Sequence, residues 1–442
     1  MSAQRARDIA QSFDLRDLTA DFYANPYPVY DWLREHEPLR SMPDGSLFLT
    51  RHADLVSVYK DAATFSSDKQ AEFIPKYGQG SPLHEHHTSS LVFNDPPLHT
   101  RVRKIIMGAL SRRAIADLAP GLHTLVQNLL DEIQAQGGGD LIEDFASAIP
   151  VEVIGNLLGI PHADRAPLRG WSLAILGALE PKLSELQEAA GHSAVREFKA
   201  YLQGLVQDRR KQPGNPEHDV LTRLLQAEAE LTETELLQNC IFILNAGHET
   251  TTNLIGNALV ALQEYPQALQ NLLSKSEHTI EIIQGQSAGF PYKSDPQTAL
   301  QHATAPTPPA DPHTDWDTAI DEFLRFESSN QLSNRRALRD FELGGQRFSA
   351  GTLLTLCIGA ANRDPAVFEQ PNTLNLARTP NKHLAFGFGI HQCAGLSLAR
   401  LEGRIAVQSF LERFPGYQLT QAPLRGGRAR FRRFLSAEFA VQ

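Results

Sequence analysis

A mainly α-helical fold with a smaller β-rich part is what the sequence predicts. Three observations predict it. A helical pattern runs almost unbroken from about Pro97 to Gln270, strand signals are confined to short stretches nearer the two ends, and 442 residues suit one large domain with a sizeable core.

Taken in order, PYPVYDWLREHEP places proline at a helix start and an apolar face of Val29, Trp32 and Leu33 behind it. LRSMPDGSLFLTR then reads as a β-hairpin turning at Pro43-Asp44-Gly45. The long helical region breaks at GGGD (Gly137 to Asp140) and at KQPGNPEHD from Lys211. Strand signals return after Gln331, where FELGGQRFSAGTLLTLCIG resembles a two-stranded unit with a glycine turn. A last helix, LSLARLEGRIAVQSFLERF, follows Cys393, and short strands finish the chain. Residues 274–315, rich in Ser, Pro, His, Gln and Thr, lack sustained periodicity. They are expected to form a mobile loop inserted within a single domain spanning 1–442, since similar helical patterns lie on both sides.

The formal net charge of −10 argues against nucleic acid as a partner. No apolar run approaches membrane-spanning length and the first residues carry no hydrophobic signal core, so a soluble, cytoplasmic protein without membrane partners is expected. Three cysteines in so long a chain exclude a disulfide scaffold. Cys240 and Cys357 sit in apolar contexts that suit small core residues, whereas Cys393 lies in FGFGIHQCAG among glycines, a histidine and a glutamine.

Gly387, Gly389 and Gly395 give that loop backbone freedom or let something flat approach it. The helix start just beyond Cys393 favours thiolate over thiol. A thiolate among exposed N–H groups suits an axial ligand to haem iron. A buried structural cysteine is the competing reading, and a cysteine protease a further one, although no histidine has a convincing partner context.

FGFGIHQCAG resembles the haem-binding signature of the cytochrome P450 superfamily, with every fixed position present from Phe386 to Gly395. Other landmarks follow in the family's order, so the resemblance covers nearly the whole chain and is to the soluble bacterial type. It implies haem b held between a long central helix and the cysteine-loop helix, with Cys393 as the metal ligand. Phe386, Gly387 and Gly395 would cradle the group.

LTETELLQNCIFILNAGHETTTNLIGNALVALQEYP opens with a capping box, Thr232 with Glu235. A helix from there to about Gln263 would be roughly 48 Å long. Its middle, Ala246-Gly247-His248-Glu249 and three threonines, is made mostly of mediocre helix formers. Thr250 is placed to bond the carbonyl of Ala246 and loosen the helix, giving a groove beside Gly247 for a flat cofactor and a diatomic ligand. Alone, the same pattern also describes a helix with a polar face. By resemblance, Glu249 and Thr250 are the acid–alcohol pair that relays protons during dioxygen activation.

Glu322 and Arg325 lie three apart on one helix face. Such pairs usually sit on surfaces, but the resemblance implies a buried pair joined by Arg378, with a folding role. His99 and Arg103, four apart, resemble the family's propionate-binding helix, and Arg335 and His391 match two further anchors, with Arg336 a neighbouring candidate for the Arg335 role. His84, His86 and His87 read as a solvated loop rather than a metal site, since no other ligand type clusters nearby.

The implied activity is insertion of one oxygen atom from O2 into a lipophilic small molecule. Electrons would come from a separate ferredoxin or flavodoxin and an NAD(P)H-dependent reductase, docking near the Cys393 face with Arg112 and Arg113 as contacts. Phe73, Ile74, Tyr77, Leu91, Phe93 and Leu332 suggest a lipophilic guest, and Lys69, Lys76 and the His84 cluster are placed to hold a carboxylate at the entrance. A fatty acid is therefore the leading expectation, with a terpenoid or polyketide as alternatives. Two other functions remain open: an H2O2-driven peroxygenase of the same fold, in which the acid–alcohol pair is usually replaced, and a non-catalytic haem sensor or binding protein.

Overall fold

The computed structural model describes residues 1–216, 219–227, 231–273 and 316–441. The proposed insertion at 274–315 lies outside them. Helices dominate, and among the described residues none is long and apolar enough to cross a membrane.

The organising element is the long helix Glu233–Glu264. Thr232 starts it through the anticipated capping box: its hydroxyl accepts from Glu235 N–H at 3.2 Å and its own N–H donates to the Glu235 carboxylate at 2.7 Å. Tyr265 ends it ahead of Pro266, which cannot continue the hydrogen-bond ladder. Nearly every side chain from Leu254 to Leu262 is buried, because helices pack on all sides of this segment. The principal core cluster runs through it, joining Cys240, Ile255 and Leu259 to Phe410 and Val407 of the cysteine-loop helix Leu396–Arg413.

Among the described residues the β part is a five-stranded sheet and three smaller ones. β1 (Leu39–Ser41) and β2 (Leu47–Leu49) form the expected hairpin. β3 is Phe65–Ser66, and β4 is Gly138–Asp140. β5 is Leu332–Ala337, β6 Phe341–Leu343, β7 Gln346–Phe348 and β8 Leu353–Cys357. β9 is Gln418–Leu419, β10 Leu424–Arg425, β11 Phe434–Ser436 and β12 Glu438–Ala440. The sheet order is β1-β2-β8-β5-β3, with only β2 and β8 parallel. The stretch read as one two-stranded unit therefore divides. β6 and β7 make a hairpin on Gly344 and Gly345, at φ +57° and +76°, while β8 joins the large sheet. The GGGD break likewise does more than stop a helix. Gly137 closes the helix Arg112–Gln136 in the left-handed conformation, and the next three residues pair with β12.

A buried ion cluster fixes the approach to the cysteine loop. Arg325, on the helix Trp316–Phe326, bonds Glu322 at 2.7 and 2.8 Å and donates to the carbonyls of Asn362 and Pro371, each at 2.8 Å. Arg378 completes the pair at 3.0 Å from Glu322, and Asn375 N–H and the Asn381 amide bond the same carboxylate. Every lone pair of Glu322 is thereby used, which is what lets a charge lie fully buried.

Candidate active site

Cys393 sits in a loop that its own backbone closes. Its N–H donates to Phe386 O at 2.9 Å, and Gly387 and Gly389 take φ +64° and +74°. Gly389 is required twice over, since a Cβ there would lie 2.3 Å from the Tyr59 carbonyl. Burial raises the Cys393 pKa, while the Gly395 N–H and the charges of Arg103 and Arg400 pull it down.

The thiol faces a cavity of about 340 Å³ between this loop and the long helix. Phe386, Gly387, His391 and Gly395 line it from below, and Ala246, Gly247 and Thr250 from above. His99, Arg103 and Arg335 line its side. Thr250 Oγ1 donates to Ala246 O at 2.7 Å, the bond that the four-residue spacing anticipates. Gly247 serves packing as well: a Cβ there would come within 2.6 Å of Ile154 Cδ1.

Whether these residues fit a haem can be judged from their unused valences. Both ring nitrogens of His99 and Nε2 of His391 are buried without a hydrogen-bond partner among the described residues, and the two ring centroids stand 4.1 Å apart. Burial and the surrounding arginines keep both imidazoles neutral, with His391 pushed down to about 2. Arg335 donates to Asn334 O at 2.7 Å and, like Arg103, has no carboxylate within ion-pair reach among the described residues. Two cations and two unpartnered imidazoles on one wall require acceptors, and a pair of propionates supplies them. The alternative Arg336 turns the other way to pair with Glu72. The residues fit the group.

Glu249 is not brought to this cavity. Consecutive helical residues point about 100° apart, and Glu249 emerges on a different face from Thr250, away from this cavity. There Arg428 holds it at 2.9 and 3.0 Å and Arg433 at 3.5 Å, beside a second cavity of about 260 Å³ lined by His248, Asn253 and Arg169. Burial raises its pKa and the two arginines oppose that.

The solvated-loop reading of the histidines is corrected. They occupy a helix, Pro82–Ser89, and His86 and His87 are each 2% exposed and line the main cavity. A chain of hydrogen bonds fixes His86. The ion pair of Lys199 with Glu85 leads to Gln238, whose amide donates to Glu85 at 2.6 Å. Gln238 Oε1 then accepts from His86 Nδ1 at 2.9 Å, so Nε2 accepts from the Asn245 amide at 3.3 Å. Asn245 Oδ1 is left without a partner at the cavity wall.

Of the expected apolar wall, Leu91, Phe93 and Leu332 line the cavity. Phe73 and Tyr77 instead pack behind His87, and Ile74 is exposed. Lys69 pairs with Glu72 and Lys76 donates to the Glu180 carbonyl, so neither lysine is at the wall. Besides Arg103 and Arg335, the cation that lines it is Arg430. Its only sequence signal was an arginine amid GGRARFRRFL, and that of Asn245 a polar residue in CIFILNAG.

The family described as Cytochrome P450 matches residues 176–293 and 316–421. Polyketide biosynthesis cytochrome P450 PksS of Bacillus subtilis is 32% identical over 91% of this chain and 92% of its own length. Cytochrome P450 monooxygenase PikC of Streptomyces venezuelae is 32% identical over 93% of this chain and 89% of its own. A crystal structure of P450BioI in complex with hexadec-9Z-enoic acid ligated acyl carrier protein is similar with a TM-score of 0.82, at 28% identity over 96% of this chain and all of that one.

Proposed function

The chain belongs to the cytochrome P450 family, whose members are haem b monooxygenases with a cysteine thiolate on the iron, and from that premise we propose that Cys393 is the ligand and a fatty acid the substrate. The observation that carries the site is the lone thiol facing Thr250 across a cavity whose side wall holds two neutral imidazoles with unused ring nitrogens and two arginines without a carboxylate partner among the described residues. His99, Arg103, Arg335 and His391 would hold the propionates, and Gly387 and Gly395 keep side chains out of the space a flat ring needs.

When bound, the haem supplies the redox chemistry by which dioxygen is activated and one oxygen atom enters a C–H bond. The chain supplies the surroundings. The Gly395 N–H and the Arg103 charge stabilise negative charge on Cys393 Sγ. Thr250 Oγ1 keeps its proton on Ala246 O at rest and can turn it toward the cavity. Glu249, clamped by Arg428 and Arg433, holds the helix side away from the cavity. Leu91, Phe93, Phe242 and Leu332 exclude water and bind an alkyl chain.

The fatty-acid reading draws on this apolar wall and on the acyl ligand of the P450BioI structure. A separate ferredoxin or flavodoxin with its reductase would deliver electrons, and Arg112 and Arg113, exposed at the start of the helix Arg112–Gln136, are the proposed contacts. The test is the absorption spectrum of the reduced protein under carbon monoxide, with Cys393→His alongside. Wild type should give the strongly red-shifted Soret band of thiolate ligation and the variant should lose it. A wild-type band typical of histidine-ligated haem would overturn the assignment.

A further inference from the structure

We infer that Arg430 is a specificity-determining residue, the anchor of a subsite in the main cavity that takes the carboxylate of an otherwise apolar substrate. The inference rests on the monooxygenase reading of that cavity and names what the apolar wall cannot.

Arg430 stands one residue before Phe431, which bridges to Asn330, so it enters the cavity from the end of the chain rather than from the entrance loop. Two of its donors are used internally. Nη1 donates to Leu332 O at 3.0 Å and Nη2 to Asn334 Oδ1 at 2.6 Å, both neutral acceptors. Its Nε is buried without a partner among the described residues. No carboxylate lies within 4.0 Å of it among the described residues. The acid that acts on it most strongly, Glu180, is already committed: its oxygens accept from the backbone N–H of Ala429 at 2.9 Å and of Arg430 itself at 3.4 Å. The neighbouring Lys76 adds a second cation rather than a counter-charge.

A fixed cation in a largely apolar wall, with an open donor and no carboxylate within ion-pair reach of its guanidinium among the described residues, is unfavourable unless a ligand completes it. The groups around it suit the same ligand. Ser329 Oγ and His87 Nε2 line the cavity, are themselves buried, and have no partner among the described residues. Burial and the nearby cations keep His87 neutral, so it adds a hydrogen bond without requiring a charge of its own. Cavity, unmatched charge and unused hydrogen bonds therefore coincide, and a carboxylate with an alkyl body meets all three. A neutral sterol-like or macrocyclic guest would fill the apolar part and leave Arg430 unpaired.

The experiment uses the haem-loaded enzyme and follows the Soret shift on titration with dodecanoic acid and with methyl dodecanoate. A charge-assisted hydrogen bond should make wild type prefer the acid by about tenfold or more in Kd. Arg430→Gln should bring the two Kd values within about threefold of each other, leaving that of the ester near its wild-type value. His87→Leu, which leaves the guanidinium in place, should weaken the acid alone by about threefold. Equal wild-type affinities overturn the proposal, as does an acid preference that survives Arg430→Gln. Equal loss of both ligands in Arg430→Gln would make the residue merely structural. If that variant does not hold haem, the wild-type ratio and His87→Leu decide. A thiolate-type carbon monoxide spectrum with ester binding intact would show that the monooxygenase reading stands when this subsite does not.

Discussion

The Thr250 hydroxyl bonds the carbonyl of Ala246, which in an ordinary helix accepts from the N–H of the same residue, so its proton rests on the backbone beside the cavity. Thr250→Val keeps shape and removes the only proton that side chain can offer. We expect the variant to fold and bind haem normally, yet to form product at least about tenfold less per NAD(P)H consumed, with hydrogen peroxide making up the difference. Unchanged coupling, measured as product against peroxide, would remove Thr250 from the proton path. This bond was legible because donor and acceptor are four residues apart on one helix. The Glu85–Gln238–His86–Asn245 chain was not, since it joins positions about 150 residues apart in sequence. Spacing gives no hint that a histidine-rich stretch folds as a buried helix against the long one. Nor does it show that Glu249 is held by Arg428 and Arg433, which lie far along the chain.

At the scale of elements, the helix Trp316–Phe326 matters for what it holds down. Glu322 gathers Arg325, Arg378, Asn375 and Asn381 on one carboxylate, and this binds the whole segment before the cysteine loop to the core. Glu322→Ala would leave two buried guanidinium groups uncompensated, at a cost of about 3–5 kcal/mol. The expected result is a variant that loses haem and unfolds many degrees below wild type in a thermal melt followed at the Soret band. A variant with native melting temperature would mean the cluster is not what holds the loop. The three-residue spacing showed that Glu322 and Arg325 share a face, and only the family resemblance implied that the face is buried. Periodicity cannot supply that, since a surface pair has the same spacing. The same limit applies to Gly138–Asp140: a glycine run reads as a helix break, and the strand exists only because β12 arrives from the C-terminus to pair with it.

Across the whole molecule, one buried acid links the cysteine-loop helix to the pH dependence of folding. Glu402 lies on that helix, 2% exposed, lines the main cavity, and has an oxygen, Oε2, without a partner. Burial alone, with no nearby cation to oppose it, pushes its pKa up to about 8. At pH 7 the folded protein therefore keeps the proton that the unfolded chain, titrating near 4.5, has released. The unfolded state binds fewer protons throughout that window, so this group makes stability fall as pH rises, by about 1.4 kcal/mol per pH unit between roughly pH 5 and 8. Below pH 4.5 both states hold the proton and the effect vanishes; above pH 8 both have lost it and the penalty is constant. Glu402→Gln keeps the shape and one N–H in place of O–H while removing the titration. The variant should match wild type near pH 4.5 and gain on it steadily toward pH 8, in chemical denaturation of the haem-loaded protein at a series of pH values. An offset that does not change with pH would mean that Glu402 is ionised in the fold. It would then need a cation beside it, whereas burial alone now acts on it.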